Sequence, residues 1–153
     1  MRIVEGGLDD DRVIALLQAH FLKARSETAP GSAHVLDLSG LRAPDITFWS
    51  AWEDETVAGV GALKALDTSH GEVKSMHTAE AMRRRGVAGA MLQHIVEFAR
   101  ERGMTRVSLE TGAWPYFASA RELYARHGFV ECAPFGSYRL DVNSVFMTKS
   151  LNV

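Results

Sequence analysis

An amphipathic helix between two strands is the feature that most constrains how this chain can fold. After Gly86, apolar residues recur every three or four positions, which is the period of a helix with one buried face. The stripe consists of Val87, Ala88, Met91, Leu92, Ile95, Phe98 and Ala99. Gly103 stands where a glycine would end this helix, and the apolar runs 72–78 and 105–110 on either side predict strands. This strand–helix–strand order predicts a mixed α/β domain.

The segments before this unit predict one helix and an antiparallel sheet. A short strand is expected at residues 2–5, and a helix after the acidic residues 9–11, because carboxylates favour a helix N-terminus. Residues 26–44 contain scattered Gly and Pro and predict a loop with a helical turn. Three strands are predicted over residues 46–78, since polar breaks separate three apolar runs. The first half of the chain is therefore expected to form an antiparallel meander.

The last third of the chain predicts a second helix and two further strands. Pro115 is expected to begin the helix, because its fixed φ suits the first helical position, and Gly128 is expected to end it. The helix residues that are expected to face inward are Phe117, Ala120, Leu123 and Tyr124. Residues 129–151 predict two strands around a loop. With 153 residues and no internal repeat, the chain is predicted to be one domain, residues 1–153.

Composition and charge argue against several classes of function. Lys and Arg number 17 and Asp and Glu number 19, so the net charge of −2 does not support a nucleic-acid partner. No apolar run approaches the roughly 20 residues that cross a bilayer. The single cysteine, Cys132, cannot form an internal disulfide, which is typical of a reducing compartment. These observations predict a cytoplasmic protein with no membrane association and no metal site.

A basic loop at the start of the central helix is the strongest candidate for a binding site. Three arginines occupy positions 83–85, and the first helical turn contains the small residues Gly86, Ala88 and Gly89. Small side chains let a ligand approach the first N–H groups of the helix, which have no internal partner. The helix dipole and the arginines then favour a phosphate group, although a solvated basic loop is the alternative interpretation. Neither a P-loop nor a dinucleotide-binding glycine motif is present.

Two short motifs match the pattern of a known family. Residues 83–88 read RRRGVA, which is similar to a Q/R-x-x-G-x-G/A motif, and residues 123–129 read LYARHGF, which is similar to L-Y-x-x-x-G-F. In this order and at this separation, they resemble the GNAT superfamily of N-acetyltransferases, and the similarity covers residues 46–130. The resemblance implies a GNAT-like fold, in which helices flank a mostly antiparallel central sheet whose strands 4 and 5 splay apart.

The resemblance implies acetyl-coenzyme A (acetyl-CoA) as the co-substrate. Backbone N–H groups of residues 84–89 would hold its pyrophosphate. The pantetheine arm would lie between the splayed strands and pair with backbone groups of Met76 and Thr78, as an added strand does. A backbone N–H near Met76 could also stabilise the thioester oxygen. The residues implied in cofactor binding are Met76, His77, Thr78, Arg83, Arg84, Arg85, Gly86, Val87, Ala88, Gly89, Phe117 and Tyr124.

The resemblance also implies which residues move protons. Tyr124 occupies the tyrosine position of the second motif and is the predicted general acid for the leaving thiolate. The acceptor amine must lose a proton before it attacks, and Glu72 is the first candidate for the general base, with Glu110 the second. His77 is expected to face either the substrate side or the core. Phe117 stands where the family usually carries an Asn, so an amide that helps to bind CoA is missing here.

The predicted function is an N-acetyltransferase that transfers the acetyl group to an amine of a small molecule or amino acid by direct attack. The alternatives are a peptide or protein acceptor, a module that senses acyl-CoA without turnover, and a nucleic-acid-binding domain based on arginines 83–85. Trp49, Trp52 and Tyr138 are candidates either for the acceptor pocket or for the core. The resemblance is also compatible with a homodimer.

Overall fold

A seven-stranded sheet runs through the computed structural model, which describes residues 1–26 and 38–151. The strands are β1 (Arg2–Glu5), β2 (Ile46–Glu53), β3 (Thr56–Ala65), β4 (His70–Thr78), β5 (Arg106–Gly112), β6 (Val130–Glu131) and β7 (Ser144–Ser150). The helices are α1 (Asp11–Ser26), α2 (Leu38–Leu41), α3 (Val87–Glu101) and α4 (Ala118–Arg126). The strand order across the sheet is β1-β2-β3-β4-β5-β7-β6.

The pairing of β4 with β5 differs from every other pairing in this sheet. These two strands are parallel, whereas the other neighbours are antiparallel. Their pairing begins with His70 opposite Arg106 and ends with Val73 opposite Leu109, although β4 continues to Thr78. Beyond Val73 the two strands part and leave a gap in the middle of the sheet. The predicted mixed α/β fold, with a mostly antiparallel sheet and splayed strands 4 and 5, is confirmed.

A bulge in β4 lies just where the strands part. In the pairing with β3, Ala62 lies opposite Lys74 while Val60 lies opposite His77, so β4 has one extra residue. Ser75 takes a left-handed φ of 54° at this point. Because a bulge bends its strand and increases the local twist, it accounts for the divergence of β4 from β5.

Helices cover both faces of the sheet, and two apolar clusters hold them there. On β3, Leu63 packs in a cluster with Met91 of α3, whereas Val60 packs in a cluster with Val13 of α1. Residues of opposite parity on a strand point to opposite faces, so α1 and α3 lie on different sides of the sheet. We call these sides the α1 face and the α3 face. Tyr124 of α4 belongs to the cluster on the α3 face.

The helix that follows Pro115 differs from its prediction. A 3₁₀ turn spans Pro115–Phe117, and α4 begins only at Ala118. Of the four residues predicted to face inward, only Tyr124 is fully buried. The other three, Phe117, Ala120 and Leu123, are half-buried because they line a cavity rather than a packed core.

The remaining differences are small. β5 extends to Gly112, two residues past its predicted end, and β4 begins at His70 rather than Glu72. Within the predicted loop 26–44, α2 is the expected helical turn, and residues 27–37 lie outside the described residues. Both Trp49 and Trp52 are buried in the core, which decides between the two interpretations of these side chains.

Candidate active site

A cavity of about 650 Å³ occupies the gap between β4 and β5. Its lining comes from α1, β4, the loop before α3, the end of β5, α4 and the loop before β7. One end of the cavity therefore lies at the N-terminus of α3, and the other lies on the α1 face. Most of the residues predicted for cofactor binding and all three predicted for catalysis line this one space.

The N-terminus of α3 offers unpaired backbone donors to the cavity. Gly86 precedes the helix in a left-handed conformation, with a φ of 78°, and no side chain caps the helix. Ala90 is the first residue whose N–H bonds back, to the Gly86 carbonyl. Within residues 1–26 and 38–151, the N–H groups of Val87, Ala88 and Gly89 have no backbone acceptor. These donors lie at the positive end of the helix dipole and suit an anionic group.

Two of the three arginines before α3 reach this cavity. Arg83 and Arg84 line it, whereas Arg85 does not, and the Arg85 guanidinium instead lies 3.7 Å from the Met82 sulfur. In the described part of the chain, none of the three forms an ion pair. The charges of Arg83 and Arg84 are therefore available to an anion at the end of α3. Arg85, which was predicted to bind the cofactor with them, lies outside the cavity because its side chain turns back along the loop.

The predicted backbone donors and acceptors of β4 are present beside the gap. Met76 and Thr78 line the cavity and lie past Val73, the last β4 residue that pairs with β5. Their strand is paired on its other side, where Thr78 lies opposite Gly59 of β3. One edge of β4 is thus held firmly while the other edge faces the cavity, as an extended ligand would require.

Tyr124 reaches the cavity from the α3 face. Its ring is 7% exposed and packs against Phe129, with 5.9 Å between ring centroids. Burial raises the pKa of the phenol to about 12, and the charge of Glu110 adds to this effect. The hydroxyl therefore keeps its proton at neutral pH. Among the described residues it has no hydrogen-bond partner, so the proton is not committed to another side chain.

Glu110 faces the cavity from β5 on the α1 face. One carboxylate oxygen, Oε2, accepts a hydrogen bond of 2.7 Å from the Ser144 hydroxyl. Burial raises the pKa of Glu110 to about 7, and the bond from Ser144 and the charge of Lys74 only partly oppose it. A carboxyl group with this pKa both takes up and releases a proton near neutral pH.

The Glu72 carboxylate has different hydrogen-bond partners from the Glu110 carboxylate, although both lie on the α1 face. Its side chain is almost fully buried, and Oε2 accepts hydrogen bonds from the Tyr138 hydroxyl at 2.5 Å and from Lys74 Nζ at 3.1 Å. Lys74 Nζ also donates to the Tyr138 hydroxyl at 3.1 Å, so the three groups form a closed triangle. We call these residues the Glu72–Lys74–Tyr138 triangle. Its hydrogen bonds hold the Glu72 carboxylate in place.

Two histidines stack at the α1 side of the cavity. The rings of His20 and His77 have their centroids 4.2 Å apart, and both residues line the cavity. Burial, together with the nearby His20 ring and Arg83, lowers the pKa of His77 to about 3. Burial also lowers the pKa of His20. Both rings are therefore neutral at pH 7, and His77 lies on the substrate side rather than in the core.

Phe117 lines the cavity where β5 ends. Its ring lies directly over Gly112, where a Cβ atom would come within 2.1 Å of the ring. The neighbouring Tyr116 meets it edge to face at 4.9 Å. A glycine at position 112 is therefore required by this close approach.

Several lining residues were not predicted from the sequence. His20, Lys74 and Asn143 belong to this group, as does Ser144, which does not line the cavity but donates to Glu110, and Tyr138 was left open between pocket and core. Lys74 could have been found, because it follows Glu72 by two residues and so shares its face of the strand. The others come from distant parts of the chain and carry no local signal.

No helix of the described residues is long and apolar enough to pass through a membrane. Within the same residues, no group of three or more His, Cys, Asp and Glu side chains is arranged to hold a metal ion.

The fold and this cavity together define a class of protein. A parallel strand pair that parts in mid-sheet and a helix N-terminus with free N–H groups beside two arginines suit an extended, phosphate-bearing ligand. Residues 9–129 match the model of the acetyltransferase (GNAT) family. The chain belongs to this family and is an acetyl-CoA-dependent acyltransferase.

Similarity to individual proteins also supports the assignment to the GNAT family. The chain is 50% identical to YsnE, an uncharacterised N-acetyltransferase of Bacillus subtilis (strain 168), over 99% of this chain and 100% of that protein. It is 48% identical to YedL, an uncharacterised N-acetyltransferase of Escherichia coli (strain K12), over 91% of this chain and 87% of that one. A crystal structure of a GNAT-family acetyltransferase from Staphylococcus aureus Mu50 has the same fold, with a TM-score of 0.77 at 20% identity over 99% of both chains.

Proposed function

We propose that the chain acts as a single domain that transfers the acetyl group of acetyl-CoA to the primary amine of a small molecule or amino acid. The acceptor amine attacks the acetyl thioester directly, with Glu110 as general base and Tyr124 as general acid. The observation that carries this proposal is that Glu110 and Tyr124 reach one gap from opposite faces of the sheet, close enough for the charge of Glu110 to act on Tyr124.

The cavity fits acetyl-CoA along its length. The free N–H groups of residues 87–89 and the side chains of Arg83 and Arg84 suit the pyrophosphate. The open edge of β4 at Met76 and Thr78 suits the amides of the pantetheine arm. Acetyl-CoA supplies an activated acetyl thioester, and the protein residues supply the positioning and the proton transfers.

Glu110 is the stronger of the two candidates for the general base. An acceptor ammonium is largely protonated at neutral pH, and its proton needs an acceptor whose pKa is near 7. The pKa of Glu110 is raised to about 7 by burial, and only one of its oxygens accepts a bond from a neighbouring hydroxyl, that of Ser144. The Glu72 carboxylate is instead held by Tyr138 and Lys74. We therefore assign proton abstraction to Glu110 and a supporting role to Glu72.

The two proton transfers are coupled through charge. The negative charge of Glu110 raises the pKa of Tyr124. When Glu110 takes the proton of the acceptor amine, this charge disappears and the pKa of Tyr124 falls. Tyr124 thus becomes a better proton donor at the stage when the thiolate leaves. Proton transfer to Glu110 therefore precedes proton transfer from Tyr124, and neither side chain has to move.

The position of the base limits the shape of the acceptor. Glu110 lies inside the cavity and is reached from the α1 face, past the stacked rings of His20 and His77. Both rings are neutral, so they neither attract nor repel a charged amine as an ion would. This uncharged side of the cavity is compatible with a small amine or amino acid as the acceptor.

The test is a measurement of CoA release with a panel of primary amines, amino acids and short peptides. We expect turnover with at least one small primary amine and a rate that rises with pH through the pKa of Glu110. Glu110→Gln keeps the shape of the side chain but cannot take a proton, and we expect kcat/KM to fall by roughly 100-fold or more. Binding of acetyl-CoA to this variant, measured by calorimetry, should stay near that of the wild type.

Other results would contradict the proposal in different ways. Tight acetyl-CoA binding with no CoA release for any amine would indicate a sensing module. Turnover with peptides alone would indicate a protein acceptor. An unchanged rate in Glu110→Gln would exclude Glu110 as the base and return Glu72 to first place.

A further inference from the structure

The register of the sheet places a cation across the gap from Glu110. In the parallel pair, Glu72 lies opposite Ser108 and Val73 lies opposite Leu109. The next residues in this register are Lys74 and Glu110, and it is there that the strands part. Lys74 thus faces Glu110 across the opening, and its charge acts on Glu110.

Lys74 is held in this position by fixed contacts. Its ammonium group donates to Glu72 at 3.1 Å and to the Tyr138 hydroxyl at 3.1 Å, and its side chain is only 13% exposed. Tyr138 is fixed in turn by an aromatic cluster, with ring centroids 5.2 Å from Phe135 and 5.5 Å from Phe146. A lysine that is held from two sides keeps its ammonium group at a constant place beside the gap.

Every element that packs around Glu110 contributes a polar or charged group. From β4 come Lys74 and Glu72, and from the β7 side come Asp141 and the hydroxyl of Ser144. The phenols of Tyr124 and Tyr138 approach from α4 and from the loop before β7, and both feel the charge of Glu110. Lys74 is the only cation among the groups that act on Glu110 within the described part of the chain.

We propose that Lys74 and Glu72, braced by Tyr138, are positioning residues whose two fixed charges control how readily Glu110 exchanges a proton with the acceptor amine. This inference rests on the proposed function of Glu110 as the base. Lys74 favours the charged form of Glu110 and Glu72 disfavours it, and the effect of Lys74 is the larger. The pair therefore keeps Glu110 from becoming a permanently protonated acid in its buried position. Neither residue of the pair gives or takes a proton in the reaction.

The test uses two variants with opposite expected effects. Lys74→Met keeps the aliphatic stem and removes the cation, so the titration of Glu110 should move to higher pH. If Glu72 takes up a proton in this variant, the direction stays the same, because the effect of Lys74 exceeds that of Glu72. Glu72→Gln keeps the shape and removes the anion, so the titration of Glu110 should move to lower pH. We expect shifts of roughly half a pH unit or more, since unit charges a few ångströms apart in a partly buried site interact strongly.

Two independent readouts are required. The first is the titration of the Glu110 carboxyl carbon by ¹³C NMR in the enzyme without substrate, which does not depend on activity. The second is the acid limb of the pH profile of kcat/KM. Lys149→Met is the matched control, because it also removes one cation, but one that donates to the His127 carbonyl away from Glu110. It should leave both readouts unchanged.

The outcomes separate this inference from the proposed function. Opposite shifts of both readouts in the two variants support it. Unchanged NMR titrations overturn it, even where Glu110→Gln confirms Glu110 as the base. NMR shifts without any change in the pH profile overturn the catalytic part of the inference and Glu110 as the base together. Lys74→Met leaves a buried carboxylate without its counter-ion, so if it does not fold, the shift to lower pH in Glu72→Gln decides alone.

Discussion

At the scale of single residues, Tyr124 has two roles that a suitable substitution can separate. Its ring fills a site on the α3 face against Phe129, and its hydroxyl faces the cavity without a hydrogen-bond partner among the described residues. Packing and proton donation therefore depend on different atoms of one side chain. The aromatic body contributes to stability, and in the proposed mechanism the hydroxyl donates the proton.

Tyr124→Phe tests this division. The substitution removes only the hydroxyl, so turnover should fall by roughly 100-fold if that group protonates the leaving thiolate. The melting temperature should change little, because no hydrogen bond is lost and the ring still fills its site. Steady-state turnover with a working amine and thermal melts of both proteins give the two numbers. Near-normal turnover would remove Tyr124 from the mechanism and leave water as the proton source.

The residues of the site differ in how far the sequence predicts them. Tyr124 and Gly86 lie in short motifs, so the sequence alone predicts their places. The hydrogen bond between Tyr138 and Glu72 joins residues 66 positions apart, and no local pattern encodes it. The ranking of Glu72 and Glu110 as candidates for the general base also depends on the folded structure. Sequence reasoning ranks Glu72 before Glu110 as the base. It cannot weigh the burial and the hydrogen-bond partners of the two carboxyl groups, because both depend on the assembled sheet.

At the scale of elements, we propose the N-terminus of α3 as the pyrophosphate site because this end of the helix has no side-chain cap. No side chain caps the helix, and its first N–H groups point to the cavity. Gly86 allows this with its left-handed φ of 78°, and a Cβ atom at this position would meet nothing within 4 Å. A side chain at position 86 would therefore enter the space beside these donors rather than clash with the protein.

Gly86→Asp should weaken binding of acetyl-CoA by at least tenfold, or about 1.4 kcal/mol, because a carboxylate would stand where the pyrophosphate belongs. The measurement is calorimetry with acetyl-CoA. Gly103→Asp is the matched control, since Gly103 also has a left-handed φ, of 80°, and open space at its Cβ, but lies at the other end of α3. Both variants carry a similar backbone strain, so equal losses of affinity would mean that the pyrophosphate does not lie at Gly86.

Elements are predicted well where periodicity governs them and poorly where it does not. The stripe of α3 and the strands around it follow from spacing alone. The bulge at Ser75 does not, because a serine in a strand gives no sign that it will take a positive φ. Similarly, the exposure of one side of α4 reflects a cavity that no helix pattern describes. The elements could be predicted from the sequence, but the gap between two of them could not be derived from periodicity.

At the scale of the whole molecule, the half-buried side chain of His77 makes stability depend on pH. The pKa of His77 is lowered from 6.5 to about 3 in the folded protein. Between these values the unfolded chain binds a proton that the folded protein does not, so the free energy of unfolding decreases as the pH falls through this window. Glu110 acts in the opposite sense, because its pKa is raised from 4.5 to about 7 and the folded protein holds the extra proton. Its contribution is complete below about 4.5 and is lost as the pH rises towards 7.

We expect His77→Gln to lose less stability than the wild type on acidification from about pH 7 to about pH 5. Glu110→Gln should show the reverse and lose more, because it lacks the group that takes up a proton on folding. Melting temperatures of the three proteins across this range measure both effects. Parallel curves for the wild type and His77→Gln would show that His77 accepts a proton in the folded protein, and would contradict its placement as a neutral ring against His20.

When no ligand fills the gap between β4 and β5, the gap leaves an unpaired strand edge inside the sheet. A sheet is normally vulnerable to unwanted association at its outer edges, where strands expose unpaired N–H and C=O groups. Here the segment of β4 beyond Val73 creates a further such edge in the middle of the sheet, in addition to the outer edges at β1 and β6, within the described residues. A ligand that fills this edge stabilises the folded state by mass action and also shields it from another extended chain. We therefore expect the protein without acetyl-CoA to associate with other extended chains more readily than the protein with acetyl-CoA bound.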